Sequence, residues 1–245
     1  MLKEGERLDD LMLNGLKVIQ KQQGFRFGTD SVLLSHFVRV KKGERLVELG
    51  AGSGAISLLI AGRAAQCTFD LVEIQPDVCD MLRRSIALNA MDARMHLHEM
   101  DLKDAPQALG YGRYHVVYIN PPYDEMGSAI LNAQTPNAIA RHETATTIAH
   151  IAQSSAGLLQ NGGRFYIIQR AERFLPIADA LRSAQLEPKR CVFIHAKHDK
   201  RAGLFLLECV KGARPGLTFD VPLYVRDESG EISRRVSAIY AGESV

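Results

Sequence analysis

Four consecutive residues near the middle of the chain, Asn120-Pro121-Pro122-Tyr123, combine an amide, two rigid imino acids and an aromatic ring. They follow the apolar, β-branched run 115–119, which is typical of a buried strand. Each proline fixes φ and lacks a backbone N–H, so this run cannot continue as a sheet ladder. We therefore expect a stiff loop just beyond the carboxyl end of a strand, where open α/β sheets bind their ligands.

Such a loop can present two hydrogen-bond acceptors beside a flat ring. The side-chain oxygen of Asn120 and the carbonyl of Pro121 can accept both hydrogens of an NH2 group, while the Tyr123 ring stacks on the plane that carries it. Asn120, Pro121, Pro122 and Tyr123 are therefore the candidate catalytic residues. The alternative is a proline-terminated edge strand with a tyrosine in its turn.

A glycine-rich turn lies upstream, after a short apolar strand predicted at 45–49. Residues 48–54 read Glu-Leu-Gly-Ala-Gly-Ser-Gly, and glycines are needed where backbone passes close to a ligand or takes a positive φ. The spacing lacks the final G-x-x-G of dinucleotide-binding proteins, and the sequence contains no G-x-x-x-x-G-K-S/T phosphate loop. A nicotinamide or a nucleoside triphosphate is thus disfavoured as the ligand.

Two acidic residues follow the next two predicted strands. Glu73 ends the strand at 68–74, about 20 residues past the glycine turn, where comparable units place a carboxylate on ribose hydroxyls. Asp101 follows the strand at 95–100 and can reach an adenine edge in the same crevice. A single acid after a strand means little, because helix N-caps favour Asp. Two of them at successive strand ends favour a nucleoside site.

The glycine turn, Glu73, Asp101 and the Asn120 loop, in this order and spacing, resemble the class I S-adenosylmethionine-dependent methyltransferases of the amino-methylating type. Two further segments, Gly-Phe-Arg-Phe-Gly-Thr-Asp-Ser-Val-Leu-Leu at 24–34 and Ala-Arg-His-Glu at 140–143, are similar to the bacterial tRNA1(Val) adenine-N6 methyltransferases. That family modifies the adenosine next to the anticodon. One departure is Glu48, where many relatives have Asp.

The resemblance implies an α/β, Rossmann-like class I methyltransferase fold. Its sheet would be seven-stranded and mostly parallel with an antiparallel last strand, and helices would cover both faces. The cofactor would be S-adenosyl-L-methionine, and the methyl group would go to the N6 amine of an adenosine in tRNA, in the anticodon loop of tRNA1(Val). The cofactor-binding residues would be Phe27, Thr29, Asp30, Glu48, Gly50, Gly52, Gly54, Glu73, Ile74, Asp101, Leu102 and Asn120. Phe27 could equally pack in the core.

RNA contacts must come from local patches, because the formal net charge is only +2. Lys197, Lys200 and Arg201 lie between the last two predicted strands, where a loop can flank the pocket. Arg141 and His142 follow the catalytic loop closely enough to contact a phosphate. Lys197, Lys200 and Arg201 could instead belong to an ordinary solvated surface, and His142 could equally pack internally.

Three other functions stay open from the sequence. Protein glutamine-N5 methyltransferases share Asn-Pro-Pro-Tyr, but they generally carry a helical domain before the cofactor motif, and only about 45 residues precede it here. DNA adenine methyltransferases usually need a separate recognition domain, for which the sequence after residue 211 leaves little length. A protein of the same fold that binds RNA without turnover is the non-enzymatic alternative.

Composition predicts one cytoplasmic enzyme domain spanning residues 1–245. Within it we expect an N-terminal hairpin and helix at 1–40, the Rossmann-like core at 41–211 and a small C-terminal appendage at 212–245. Four widely separated cysteines contain no C-x-x-C pair, so we expect neither a metal site nor disulfides. No apolar run approaches the roughly 20 residues of a membrane span, and a monomer is favoured.

The predicted elements alternate as in a parallel sheet. A hairpin is predicted at 11–20, with Asn14-Gly15 in its turn. Predicted helices cover 30–39, 54–64, 76–89, 144–159 and 171–185. The strands predicted besides those above are 114–120, 163–169, 191–195 and 204–211, the last two as an antiparallel pair.

Overall fold

The fold is built on a central β-sheet with helices on both faces. This computed structural model describes residues 2–22, 27–123 and 147–243. In chain order the elements are β1 (Glu6–Asp10), β2 (Lys17–Lys21), α1 (Thr29–Phe37), β3 (Arg45–Leu49), α2 (Ala55–Arg63), β4 (Thr68–Glu73), α3 (Pro76–Leu88), β5 (Met95–Glu99), α4 (Ala105–Leu109), β6 (Tyr114–Ile119), α5 (Ile148–Leu158), β7 (Leu159–Arg170), α6 (Phe174–Ser183), β8 (Leu186–His195), β9 (Ala202–Lys211), β10 (Thr218–Phe219), β11 (Leu223–Tyr224) and α7 (Arg234–Tyr240).

The strand order in the sheet is β10-β8-β9-β7-β6-β3-β4-β5, and β11 also pairs with β8. Strand β9 runs antiparallel to both β7 and β8, whereas the other pairs are parallel. The seven longer strands are those predicted, so the expected class I methyltransferase fold is confirmed, with β10 and β11 as two-residue additions. The chain reverses direction across the sheet between β3 and β6. Doubly wound folds form their ligand crevice at this kind of position.

Both faces of the sheet are buried, which explains why its strands are nearly continuous apolar runs. Leu46 of β3 packs into the core beneath α1, α2 and α3, together with Phe69 and Val116. Val47, the next residue, packs into the opposite core beneath α5 and α6. The alternation of neighbouring strand residues between the two cores confirms that helices cover both faces.

The N-terminal hairpin has the predicted turn and most of the predicted second strand, but its first strand lies before the predicted segment. Asn14 and Gly15 both take positive φ, 51° and 70°, and Leu16 N donates to Leu13 O at 2.9 Å. The paired strands are β1 and β2, which lie outside the apolar residues next to the turn. Leu11 and Leu16 are instead buried against the main core. The apolar residues next to the turn therefore pack against the core and take no part in the β1–β2 pairing.

Strand β7 starts earlier than predicted. The expected turn at 161–163 is an irregularity within the strand, where the pairing shifts from Tyr114↔Leu159 to Val116↔Arg164. Gly162 has φ 74°, which allows the extra residues to be accommodated without ending the strand. Downstream, a short 3-10 turn (Ala171–Arg173) precedes α6, and Pro176 falls in the first turn of that helix.

The C-terminal segment contacts the main fold in two places, at the β8 edge of the sheet and at α1. Strands β10 and β11 extend the sheet beside β8. Helix α7 buries Val236 and Ile239 in the core that also contains α1. Tyr240 Oη donates to Thr29 Oγ1 at 2.9 Å, so this helix holds the start of α1. Among the described helices, none is long and apolar enough to cross a lipid bilayer.

Candidate active site at the carboxyl edge of the sheet

The strand pairing brings the predicted residues to one edge of the sheet. Leu49 pairs with Val72, Glu48 with Tyr118, and Glu73 with Glu99. The residues that follow these pairs therefore leave the ends of four neighbouring parallel strands, each roughly 4.8 Å from the next. In spatial order, the residues at these strand ends are Asp101, Glu73, Gly50 and Asn120.

The three glycines of the turn serve two different purposes. Gly50, Gly52 and Gly54 have φ of 63°, 53° and 75°, all in the left-handed region. A Cβ at Gly50 or Gly52 would meet nothing within 4 Å, whereas at Gly54 it would lie 2.3 Å from Leu82 Cδ1. Gly50 and Gly52 thus keep backbone open to a ligand. Gly54 allows α2 to pack against α3.

Glu73 is buried and ties the glycine turn to the end of β4. Its Oε2 accepts from Gly52 N at 2.9 Å, and its Oε1 accepts from Ile74 N and Gln75 N, each at 2.9 Å. A carboxylate offers about four acceptor sites, so one remains for a ligand hydroxyl. The arrangement suits the predicted contact with a ribose.

Apolar surface lies beside this carboxylate. Ile74 is 58% exposed, which is unusual for an isoleucine directly after a buried strand. Leu102 is half-buried on the neighbouring loop. Asp101 caps that loop, since its Oδ1 accepts from Lys103 N at 2.9 Å and its Oδ2 pairs with Lys103 Nζ at 3.1 Å. These residues could hold a flat, apolar ring with a polar edge, which fits an adenine.

Glu48 contacts the first turn of α2. Its side chain is buried, accepts from Ser57 N at 3.3 Å and also bonds to Ser57 Oγ, which lies 2.5 Å from Tyr118 Oη. Burial raises the pKa of Glu48 to about 8. The described contacts of Glu48 therefore anchor the first turn of α2, and its predicted contact with a cofactor stays a prediction.

Asp30 joins two of the candidate catalytic residues. Tyr123 Oη donates to Asp30 Oδ2 at 2.7 Å, and Asn120 Nδ2 approaches the same oxygen at 3.4 Å. Because a carboxylate can only accept, the NH2 end of the Asn120 amide faces Asp30 and its Oδ1 is turned away. Burial and the nearby Asp30 raise the pKa of Tyr123 well above its ordinary value. The ring therefore stays a neutral donor.

The residues of the Asn120 loop differ in exposure, and its stiffness stays a prediction. Pro121 is buried and Pro122 is exposed, while Asn120 and Tyr123 are half-buried. The guanidinium of Arg170 lies over the Tyr123 ring, 5.9 Å from its centroid. Arg170 ends β7, the strand next to β6, and sequence reasoning missed it. The signal was available, because Arg170 is a cation at the carboxyl end of a predicted neighbouring strand.

Phe27 and Thr29 support the start of α1. The Phe27 ring packs against the core, and its N–H donates to Gln20 Oε1 at 3.1 Å. Thr29 accepts the hydrogen bond from Tyr240. In the described contacts both residues therefore position Asp30, and their predicted cofactor contacts stay predictions.

The predicted RNA-contact residues are only partly described. Lys197, Lys200 and Arg201 are exposed on the loop between β8 and β9, which opens at the same edge as Asn120. Arg141 and His142 lie outside the described residues, as do positions 24–26 and 140–143 of the two resembling segments. Within the described ranges, no group of three or more His, Cys, Asp or Glu residues is placed to hold a metal ion.

Comparison with known proteins agrees with this geometry. A family model described as "Methyltransferase small domain" matches residues 22–188. A protein of Cronobacter sakazakii (strain ATCC BAA-894) named "tRNA1(Val) (adenine(37)-N6)-methyltransferase" is 30% identical over 144 residues, which is 58% of each chain. A protein of the same name from Yersinia pestis (strain Pestoides F) is 27% identical over 72% of this chain and 68% of its own.

A solved structure described as a predicted O-methyltransferase from Agrobacterium tumefaciens has the same fold. It superposes with a TM-score of 0.73 at 24% identity, covering 88% of this chain and 97% of its own. A geranyl diphosphate methyltransferase in complex with SAM superposes with a TM-score of 0.54 at 13% identity, over 74% of this chain and 84% of its own. At these identities the likeness describes the fold alone.

Proposed function

The chain belongs to the methyltransferase small domain family, and from this premise we propose that it methylates the exocyclic N6 amine of an adenosine in tRNA, with S-adenosyl-L-methionine as the methyl donor. The names of the Cronobacter and Yersinia relatives support tRNA1(Val) as the substrate. The observation that carries the proposal is the orientation of Asn120 by Asp30, which leaves Asn120 Oδ1 as an acceptor beside the Pro121 carbonyl. We further propose that the enzyme acts as a single-domain cytoplasmic monomer.

The residues at the carboxyl edge fit the cofactor. Gly50 and Gly52 leave the backbone open. Glu73 would accept from the ribose hydroxyls, Asp101 would meet the polar edge of the adenine, and Ile74 would cover its ring. When bound, S-adenosylmethionine supplies an electrophilic methyl group on a positively charged sulfur.

The target amine needs help to react, because its lone pair is delocalised into the adenine ring. Asn120 Oδ1 and the Pro121 carbonyl would accept its two hydrogens, which favours tetrahedral geometry at nitrogen and stabilises the positive charge that develops there. These contacts are strongest when the charge has formed, so they lower the barrier more than they strengthen ground-state binding. The proton can leave after the methyl group has been transferred.

Asp30 would act through Asn120 and Tyr123. Its negative charge one hydrogen bond from the amide polarises the Asn120 side chain and makes Oδ1 a stronger acceptor. Its bond to the Tyr123 hydroxyl fixes the ring that would stack on the target base, a contact worth about 1–3 kcal/mol at single-stranded sites. An anticodon loop already exposes its bases, which lowers the cost of reaching N6.

The direct test is transfer of labelled methyl from S-adenosylmethionine to separate pools of tRNA, ribosomal RNA, DNA and release factor. Label in tRNA that digests to N6-methyladenosine is the expected result. Label in release factor alone would replace the proposal with glutamine-N5 methylation. Cofactor binding without transfer to any pool would instead favour a protein without turnover.

Asn120→Ala tests the acceptor role. We expect kcat to fall at least about 100-fold, while the Kd for S-adenosylmethionine measured by calorimetry changes little, because the lost contact forms mainly in the transition state. Asn161→Ala, at an exposed asparagine near the start of β7 and therefore at the opposite edge of the sheet, is the matched control and should keep normal turnover. Normal turnover of Asn120→Ala would exclude the acceptor role.

A further inference from the structure

Three aromatic side chains cluster near the C-terminal segment. Tyr224 of β11 lies 5.2 Å from His195 and 4.9 Å from His198, centroid to centroid, with rings tilted by 44° and 34°. Tyr224 and His195 are partners in the parallel β11–β8 pair. His195 Nδ1 lies 2.7 Å from the Lys200 carbonyl oxygen, which fixes the loop that carries His198. We call Tyr224, His195 and His198 the ring cluster.

The ring cluster opens at the same edge of the sheet as the candidate active site. Strand β8 is antiparallel to β9, which is antiparallel to β7, so β8 runs in the direction of β6. From β6 the order across the sheet is β7, β9, β8 and β11. Four strand spacings amount to roughly 19 Å along the edge. This distance corresponds to several nucleotides of RNA from a target base held at Asn120.

The rim of the ring cluster carries both charges in similar number. Its exposed cations are Lys197, Lys200, Arg201 and Arg226, and its acidic residues are Asp199, Asp227, Glu228 and Glu231. Asp199 pairs with Lys200 at 3.2 Å, and Asp227 Oδ1 accepts from Ser229 Oγ at 2.6 Å within its own turn. Charge alone is therefore a weak attraction here, and the rings offer the main contact surface. Aromatic faces of this kind stack on unpaired bases of any sequence.

We propose that the ring cluster is a second contact surface for the substrate RNA, taking unpaired bases of the loop that contains the target adenosine. This inference rests on the proposed tRNA methylation and assigns a role to the segment after residue 211. His198 is exposed and Tyr224 half-buried, so bases can reach both rings. Because the rim is not strongly basic, stacking on the rings would supply the larger part of the binding and phosphate contacts the smaller part.

Tyr224→Ala and His198→Ala test the proposal, with Tyr111→Ala as the matched control. Tyr111 is 71% exposed and precedes β6, at the opposite edge of the sheet. For Tyr224→Ala we expect KM for full-length tRNA, and Kd by fluorescence anisotropy, to rise roughly 5- to 100-fold. His198→Ala should raise both at least about threefold. Cofactor Kd should be unchanged in all three variants, and the control should match the wild type.

Salt separates stacking from charge. The loss caused by Tyr224→Ala should be similar at low and high ionic strength, whereas the smaller loss caused by Lys197→Ala should shrink as salt screens the phosphate contact. His198 lies on an exposed loop, so its variant remains informative if Tyr224→Ala fails to fold.

Two outcomes overturn the inference, and both differ from a failure of the proposed function. If wild-type protein methylates tRNA and both ring variants keep KM and Kd within twofold of wild type, the ring cluster does not bind RNA. If wild-type protein methylates tRNA and Tyr111→Ala raises KM and Kd as much as Tyr224→Ala does, the loss is not specific to the ring cluster. If the wild type methylates no RNA, the proposed function fails first, and the anisotropy titration still reports whether the rings bind tRNA.

Discussion

The carboxylate of Asp30 connects residues that are distant in sequence but adjacent in the site. One of its oxygens accepts from Tyr123 and Asn120, and the other accepts from Ser31 N at 2.8 Å at the start of α1. A side chain held at both oxygens cannot easily rotate away. Asp30 is therefore placed to position Asn120 and Tyr123, and this role can be separated from direct cofactor binding.

Asp30→Asn should lower kcat roughly 10- to 100-fold and leave the Kd for S-adenosylmethionine within about twofold. The substituted amide can both donate and accept, so it no longer dictates which end of Asn120 faces the substrate, and the charge that polarises the amide is lost. Steady-state kinetics and calorimetry measure the two quantities. Asp92→Asn, at an exposed position, is the control. A large loss of cofactor affinity would instead indicate that Asp30 contacts the cofactor directly.

Glu48 makes stability depend on pH. Its folded pKa of about 8 lies above the ordinary 4.5, so the folded protein keeps a proton that the unfolded chain has released between these values. Stability therefore falls as pH rises from about 4.5 to 8. Glu48→Gln should remove this loss and be more stable than wild type at pH 8 by on the order of 3 kcal/mol, with little difference at pH 4.5.

Urea unfolding at several pH values measures this difference. The glutamine can still accept from Ser57 N, so the anchor of α2 is retained. Parallel stability curves for the two proteins would show that Glu48 is ionised in the folded state.

At the scale of elements, the glycine turn allows a paired experiment. Gly54→Ala should destabilise the fold by at least about 1–2 kcal/mol, for two reasons. The alanine would have to keep the left-handed backbone conformation of Gly54, and its Cβ would collide with Leu82 of α3. Gly52→Ala has the same backbone cost but open space, so the additional loss should appear in cofactor affinity. Thermal unfolding and calorimetry distinguish them. Equal cofactor affinities for Gly52→Ala and wild type would show that no ligand passes close to this turn.

The elements themselves were largely predictable, since apolar runs alternated with amphipathic ones and glycine or proline marked the boundaries. The errors arose where tertiary pairing overrode local signals. Asn161 and the glycines after it predicted a turn before the strand, yet β7 already pairs with β6 at Leu159 and resumes the pairing at Arg164. The hairpin turn at Asn14 and most of β2 were found, but β1 was missed, because Leu11 and Leu16 next to the turn pack into the core and are not part of the strand pairing.

The site was predictable only where chain order determines it. Glu73 and Asn120 follow strands, and parallel strands end at a common edge, so their proximity could be derived. The bond between Asp30 and Tyr123 joins residues 93 positions apart and depends on how α1 lies against the sheet. The same applies to the buried position of Glu48 and to the contacts within the ring cluster at Tyr224. Such contacts carry no pattern in the sequence.

At the scale of the whole molecule, both end regions of the chain support the site. Arg84 of α3 joins this helix to the hairpin, because it pairs with Glu6 of β1 as well as with Asp80 of its own helix. The C-terminal helix α7 reaches Thr29 through Tyr240, across 211 positions of sequence. The start of α1, which carries Asp30, is thus held by a segment that the sequence marked only as an appendage.

Tyr240→Phe should lower the free energy of unfolding by about 0.5–1.5 kcal/mol, because it removes one hydrogen bond and leaves the Thr29 hydroxyl without this partner. Asp30 keeps its own bonds, so kcat should stay within about twofold. Denaturant unfolding and steady-state assays provide both values, with Tyr111→Phe as an exposed control. A fall in kcat well beyond twofold would mean that α7 influences the chemistry directly.

The position of β9 has a consequence for biosynthesis. This strand is made after β7 and β8 but lies between them, paired with both. Until residues 202–211 have been synthesised, β7 presents an unpaired edge, although the strands that end at Gly50, Glu73, Asp101 and Asn120 are already present. We expect chaperones to meet the growing polypeptide at this stage.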